Sequence, residues 1–430
     1  MELGILVLIL SFVVLLGLGV PVAFAIGIAT VATMLVTIDP IPAVTTMAQR
    51  MGTGLDSFTL LAIPFFILAG QIMNKGGLAS RLIDFAKAMF GMVPGALAYV
   101  NVMAAMLFGA ISGSAVASAS AVGGMLGPRM KEEGYDPGFG AAVNITAATT
   151  GLIIPPSNVL IIYSLASGGV SIAALFIAGY LPGLLLGSLL MAVSGVWAWR
   201  KGYPVSEKTS LRRLLRTGLG ALPSLFMLVV VIGGIVAGIF TATEAAAVAV
   251  LYALILAFIY REIGPSDVPR ILLDSAGTTA IVALLIATSM GMSWILAYEN
   301  IPQGVSAALI ALTDNPILIL LIINLILLAV GTFMDMTPAI LIFTPIFLPI
   351  AIDLGIDPIH FGIIMVLNLC VGLCTPPVGS VLFVGCGVAG TSITQVIRPL
   401  MPLFLAMIVG LAIVTAVPEL SLWLPRLFGY

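Results

Sequence analysis

Asp335 is the residue that most needs a chemical explanation. It stands in Gly331-Thr332-Phe333-Met334-Asp335-Met336-Thr337-Pro338, between long apolar runs. An ionisable group in such surroundings is costly and usually functional. A second polar interruption, Gly109-Ala110-Ile111-Ser112-Gly113-Ser114, breaks another apolar run, and small residues continue through Ser118 and Ser120. Its hydroxyls could hold a cation or a carboxylate; the same small residues also suit a close helix–helix contact. Two proline pairs complete the set: Pro155-Pro156 after Gly151, followed by Ser157-Asn158, and Pro376-Pro377 after Gly372 and Thr375, followed by Gly379. Proline removes a helical donor and clashes with the preceding turn, so each pair must unwind the chain inside an apolar run. Freed carbonyls can coordinate a bare cation, and the helix N-terminus that follows favours an anion. The spacing therefore predicts broken helices at 151–158 and 372–379, with the hydroxyls, amides and Asp335 as ligands for a cation or a carboxylate.

The remaining candidates are weaker. Glu244 in Thr241-Ala242-Thr243-Glu244-Ala245 could be an ion or proton ligand. The plainer reading is a first-turn carboxylate capped by Thr241 or Thr243. His360, the one histidine, follows Asp357-Pro358 at a helix start and reads as structural or interfacial. Cys370 and Cys374 share a helical face, but His360 does not complete a metal site with them, so the three cysteines read as small buried hydrophobes. No phosphate-cradling loop is present, so no ATPase is expected and an ion gradient or another subunit must supply the energy. No catalytic constellation stands out and no cofactor is expected.

These residues must be positioned by a membrane protein. Of 430 residues 61% are hydrophobic and 8% charged, and the mean hydropathy is +1.25. Soluble domains carry about 25% charged residues. A net charge of −2 leaves no basic face for nucleic acid. The runs 4–36, 88–107, 223–239, 276–296 and 316–334 are free of charge, and most have the length of a bilayer-crossing helix. The run 4–36 is about 50 Å as one helix, so it is tilted or divided near Gly17-Leu18-Gly19-Val20-Pro21. It is too long for a cleaved signal peptide and belongs to the fold. Arg200, Lys201, Lys208, Arg212, Arg213 and Arg216 crowd one segment whose sole acid is Glu207, which places 200–216 in the cytoplasm. Trp197 and Trp199 before it suit an interfacial belt. Both termini are poor in Lys and Arg and are placed outside, which requires an odd number of spans in each half.

Such an arrangement predicts an inverted repeat. An offset of 221 residues sets Gly134-Tyr135-Asp136-Pro137 over Gly355-Ile356-Asp357-Pro358. Without gaps the same offset pairs Gly151-Leu152 with Gly372-Leu373, Pro155-Pro156 with Pro376-Pro377, Ser171-Ile172 with Ser392-Ile393, and Ser114 with Asp335. Inverted repeats with discontinuous helices mark secondary transporters, whose sites lie near the bilayer midplane. The fold expected is all-α and integral to the membrane, an inverted-repeat transporter with two re-entrant helical hairpins tipped by 109–114 and 330–335 and two broken helices. Residues 1–199 form the first repeat, 200–216 the cytoplasmic linker and 217–430 the second repeat.

The motifs 109–114, Gly134-Tyr135, Ile153-Ile154-Pro155-Pro156-Ser157, Thr243-Glu244-Ala245-Ala246, 331–335 and 355–361 leading to 372–377 resemble the large membrane subunit of TRAP (tripartite ATP-independent periplasmic) transporters, in the same order and over nearly the whole chain. One departure is Thr241-Ala242-Thr243-Glu244, where the family often has Thr-Pro-Thr-Glu. The resemblance implies a bacterial inner-membrane permease working with a small four-helix membrane subunit and a periplasmic substrate-binding protein. It implies import of an organic acid, such as a C4-dicarboxylate, sialic acid or sugar acid, with Na+ as coupling ion and elevator-type movement. A stand-alone sodium–carboxylate symporter of related architecture is the alternative.

Overall fold

A computed structural model describes residues 2–90, 93–203, 210–313, 315–376 and 378–430. Pro377, expected at the second break, and Glu207 and Lys208 of the basic linker lie outside them. The first half contains α1 (Glu2–Gly17), α2 (Val22–Thr37), α3 (Pro40–Leu55), a 3-10 turn (Phe58–Leu61), α4 (Ala62–Lys75), α5 (Leu78–Phe90) and α6 (Ala96–Ser112). It continues with α7 (Ala115–Glu132), α8 (Pro137–Thr150), α9 (Asn158–Ala166) and α10 (Ile172–Lys201). The second half contains α11 (Leu211–Val236), α12 (Ala242–Ile259), α13 (Val268–Tyr298), α14 (Ile301–Leu312) and α15 (Pro316–Phe333). It closes with α16 (Met336–Asp353), α17 (Pro358–Gly372), α18 (Ser380–Ala389), α19 (Ile393–Ala416) and α20 (Glu419–Leu427). There is no strand among the described residues, and eight helical segments there are long and apolar enough to cross a membrane.

The sequence motifs act as helix punctuation. Gly134 and Gly355 take positive φ, a cheap conformation only for glycine. The aspartate two residues later caps the next helix: Asp136 Oδ1 accepts from Phe139 N at 2.9 Å, and Asp357 Oδ1 from Ile359 N at 2.8 Å. Proline then occupies the first helical position, where no donor is needed. Ser171 caps α10, and Ser392 forms a capping box with Gln395 at the start of α19. At the 221-residue offset α2 therefore falls on α12, α7 on α16, α8 on α17, α9 on α18 and α10 on α19. One difference is plain: α3, the 3-10 turn and α4 correspond to a single 31-residue helix, α13.

The run 4–36 is divided, with α1 and α2 meeting at Gly19, whose φ is +79°. The run 88–107 is not one helix. It straddles the end of α5 and the start of α6, with Gly95 left-handed between them, a break that hydropathy does not register. Helix also reaches into the expected linker from both sides, through Lys201 and from Leu211. Trp199 is exposed, as a belt residue should be, and Trp197 is half-buried and stacks on Phe139 at 5.6 Å.

The halves interlock. α2 packs on α13, and α12 on α4; α18 packs on α7, and α9 on α16. Between helices in lipid there is no hydrophobic drive, so close packing of small residues and buried hydrogen bonds must hold them together. Both occur here. Tyr163 Oη donates to Pro358 O at 2.6 Å across the halves, and a Cβ at Gly362 would collide with the same tyrosine ring. Asn368 Nδ2 donates to Asn324 Oδ1 at 2.9 Å within a buried pair. Outward, α1 presents Leu3, Leu6, Leu10 and Val13 as an exposed apolar stripe.

Candidate functional site

Each half builds the same local device from small residues. In the first, α6 ends at Ser112, Gly113 takes a left-handed φ of +61°, and Ser114 caps α7 by accepting from Ala117 N at 3.2 Å. In the second, α15 ends at Phe333, Met334 is extended, and Asp335 occupies the N-cap position of α16 without a capping side-chain bond. Its carboxylate is thus left available at a helix N-terminus.

The proline segments lie behind these turns. α8 ends at Thr150 and α9 begins at Asn158; α17 ends at Gly372 and α18 begins at Ser380. Glycine makes the approach possible. A Cβ on Gly151 would stand 2.3 Å from Gly109 Cα, and one on Gly372 would stand 2.6 Å from Gly331 Cα. No side chain fits between the arm of either helix pair and its adjoining break.

A cavity of about 290 Å³ opens where the two devices meet. Ser112, Gly113, Ser114, Asn158, Asp335 and Thr337 line it together. Asn158 sits against Gly113, and its buried Oδ1 has no hydrogen-bond partner. An unpaired buried acceptor costs about 1–3 kcal/mol, so it is poised for a donor or a cation. Asp335 adds negative charge, while the Ser114 turn and the starts of α7, α9, α16 and α18 add positive helix ends.

Other predicted residues stand behind the cavity wall and shape it. Ser157 Oγ donates to Leu152 O and accepts from Leu160 N, closing the first break onto itself. Thr332 Oγ1 donates to Leu328 O at 3.0 Å within α15, and Thr375 Oγ1, in the second break, donates back to Val371 O of α17 at 2.9 Å. Pro155 and Pro156 are buried, Pro376 is partly so, and Gly379 packs against Leu373 O, where a Cβ would clash. The breaks reach the cavity through Leu152 and Leu373 instead. Four polar lining residues were not anticipated: Gln71 and Asn74 on α4, Thr278 on α13 and Ser380 on α18. Gln71 and Asn74 lie one turn apart at the end of an apolar helix, a pattern that could have marked them.

Glu244 is elsewhere. Its carboxylate accepts from Thr241 N and Thr241 Oγ1, both at 2.8 Å, while Thr241 Oγ1 takes the Glu244 N–H, a complete capping box on the surface. His360 is buried in α17 and does not line the cavity. Cys370 and Cys374 are buried thiols donating to Thr149 O and Ile145 O, and among the described residues no cluster suits a metal.

The family described as "Tripartite ATP-independent periplasmic transporter, DctM component" matches residues 9–420. The chain is 41% identical over 425 residues, 96% of each protein, to the C4-dicarboxylate TRAP transporter large permease protein DctM of Rhodobacter capsulatus. It is 39% identical over 97% of each protein to the sialic acid TRAP transporter large permease protein SiaM of Vibrio cholerae. In fold it is similar to the crystal structure of the YdaH transporter of Alcanivorax borkumensis, with a TM-score of 0.61 and 16% identity over 90% of this chain and 89% of that one.

Proposed function

Because the chain belongs to the DctM-component family of tripartite ATP-independent periplasmic transporters, we propose that it is the large permease subunit of a sodium-gradient-driven importer of an organic acid. A periplasmic binding protein delivers the acid, and a small four-helix membrane subunit completes the complex in the bacterial inner membrane. The observation that carries this reading is the convergence of Ser112, Ser114, Asn158, Asp335 and Thr337 on one cavity. Na+ exchanges its hydration shell for hydroxyl, amide and carboxylate oxygens there. The acid's carboxylate takes the hydroxyls and amides at the helix ends, once Na+ has offset the charge of Asp335.

The halves act as inverted repeats, 1–199 and 217–430, joined by the cytoplasmic segment 200–216, with both termini in the periplasm. By length α15 and α16 could each cross a membrane. Re-entry is favoured by the placement of the two turns: Ser112–Ser114 and Asp335, each between the arms of a helix pair, line one cavity together. The two helix pairs and the broken helices move as one body against the interlocked α2, α4, α12 and α13, the elevator movement.

Reconstitution tests the proposal. Purified chain in proteoliposomes with its small subunit and binding protein should accumulate the acid that the binding protein captures when a Na+ gradient is imposed without ATP. Uptake by this chain alone would support the stand-alone symporter, and uptake indifferent to Na+ would refute the coupling.

A further inference from the structure

A second cavity, of about 280 Å³, lies between α6, α7, α8 and the end of α18. Gly127, on its wall, is thirteen residues along the chain from Ser114, about 20 Å up α7. Two of its lining residues, Asn101 and Asn144, are 1% and 3% exposed, and the Oδ1 of each has no partner. Asn144 Nδ2 is held by Ala119 O at 2.8 Å, which fixes its oxygen as the free end. Buried acceptors without donors are costly, so this hollow is built to be occupied by hydrogen-bond donors.

The hollow is made by missing side chains. Gly123, Gly127, Gly140 and Asn144 line it. At the 221-residue offset stand Thr344, Leu348, Phe361 and Met365, all buried, with Thr344 Oγ1 reaching Met365 Sδ at 3.2 Å. The second half is solid where the first is open, so the helix arrangement does not demand the opening. The cavity borders the basic linker: Tyr135 on its wall stacks on Tyr203 at 4.4 Å, and Tyr203 Oη accepts from Asp136 N at 3.2 Å.

We propose that this cavity is a second solute site, separate from the cavity at the helix turns, and that it takes a small polyhydroxylated carboxylate. The buried oxygens of Asn101 and Asn144 accept from ligand hydroxyls, the donors an acid of this class carries in excess. Lys131, the cation on the lining, takes the carboxylate. Asp136, also on the lining, is held by its Oδ1 as the cap of α8, so the ligand carboxylate is placed at the Lys131 end of the cavity, away from that fixed negative charge. The volume is near the lower end of small-molecule pockets, about 300 Å³, which suits a six-carbon acid better than a larger one.

The test is cysteine protection on the purified chain. A Cβ at Gly127 meets nothing within 4 Å, so Gly127→Cys places a thiol in the opening without strain, while the three native cysteines are buried. The expected result is labelling by a small charged methanethiosulfonate, with Leu348→Cys at the filled counterpart unreactive. D-Gluconate slows labelling saturably, to about half the rate when its concentration equals its Kd. D-Glucose and propionate, each lacking one half of the recognised chemistry, protect less. Asn144→Met, which copies the packing of the second half, abolishes protection in a folded protein, and Lys131→Gln weakens protection by gluconate but not by glucose. No labelling, labelling indifferent to gluconate, or protection that survives Asn144→Met would each overturn the proposal. The measurement needs neither a Na+ gradient nor a partner, so its failure is distinct from a failure of sodium-driven uptake.

Discussion

Replacing Gly151 by alanine puts the helix-break packing under direct test. Gly151 has φ −65° and ψ −21°, which alanine adopts freely, so no backbone strain is expected. The added methyl would lie 2.3 Å from Gly109 Cα, 2.7 Å from Gly109 C and 2.9 Å from Ala105 O. All three are backbone atoms, so relief requires α6 to move away from the break. Overpacking of a tight interior costs about 1–3 kcal/mol, and a purely backbone contact belongs at the upper end. Loss of glycine freedom in the unfolded chain returns about 0.4–1 kcal/mol. The net loss is about 2 kcal/mol, roughly a thirtyfold shift in the unfolding equilibrium. Gly124→Ala on the open face of α7 is the control: its Cβ meets nothing within 4 Å, and it should gain about 0.5–1 kcal/mol. Denaturant titration of both variants in detergent measures the difference. If Gly151→Ala is as stable as Gly124→Ala, the arm and the break do not touch as described.

Gly372→Ala meets Gly331 backbone at 2.6 Å and should be destabilised comparably in the same titration. Thr241→Ala removes the capping box of α12; it should cost on the order of 1 kcal/mol of stability while the Na+ dependence of uptake stays unchanged, as a surface cap remote from the cavity requires. A cysteine replacing exposed Lys201 should resist impermeant thiol reagents added to intact cells, while one at Tyr430 should react. Labelling at 201 from outside would invert the assigned orientation.

How much of this was legible in the sequence depends on where the determinant lies. The helix boundaries were accessible because they are local: a glycine turn, an aspartate cap and a proline at the first helical position repeat 221 residues apart and do the same work twice. That Ser112–Ser114 and Asp335 stand at turns between helices was accessible for the same reason, since both interrupt apolar runs. What tertiary packing decides was not. Gln71, Asn74 and Thr278 reach the cavity because α4 and α13 pack on helices of the opposite half, which no local signal encodes. Ser157 and Thr375 carry the right oxygens, yet their hydroxyls serve the backbone of their own segments. The apolar run 88–107 misled because hydropathy is blind to a left-handed glycine.

If Asp335 and the serine turn hold the coupling ion, the Na+ half-saturation of uptake at matched protein levels must depend on both. Asp335→Asn keeps the shape of the turn and removes the charge, and a hydrogen bond or ligand contact to a charged group is typically worth about 1.5–3 kcal/mol. The half-saturation should rise about tenfold or more in Asp335→Asn and about fivefold in Ser114→Ala, and should not change in His360→Ala, whose side chain does not line the cavity. Unchanged half-saturation in both Asp335→Asn and Ser114→Ala would contradict that assignment, leaving these residues as packing at two helix turns.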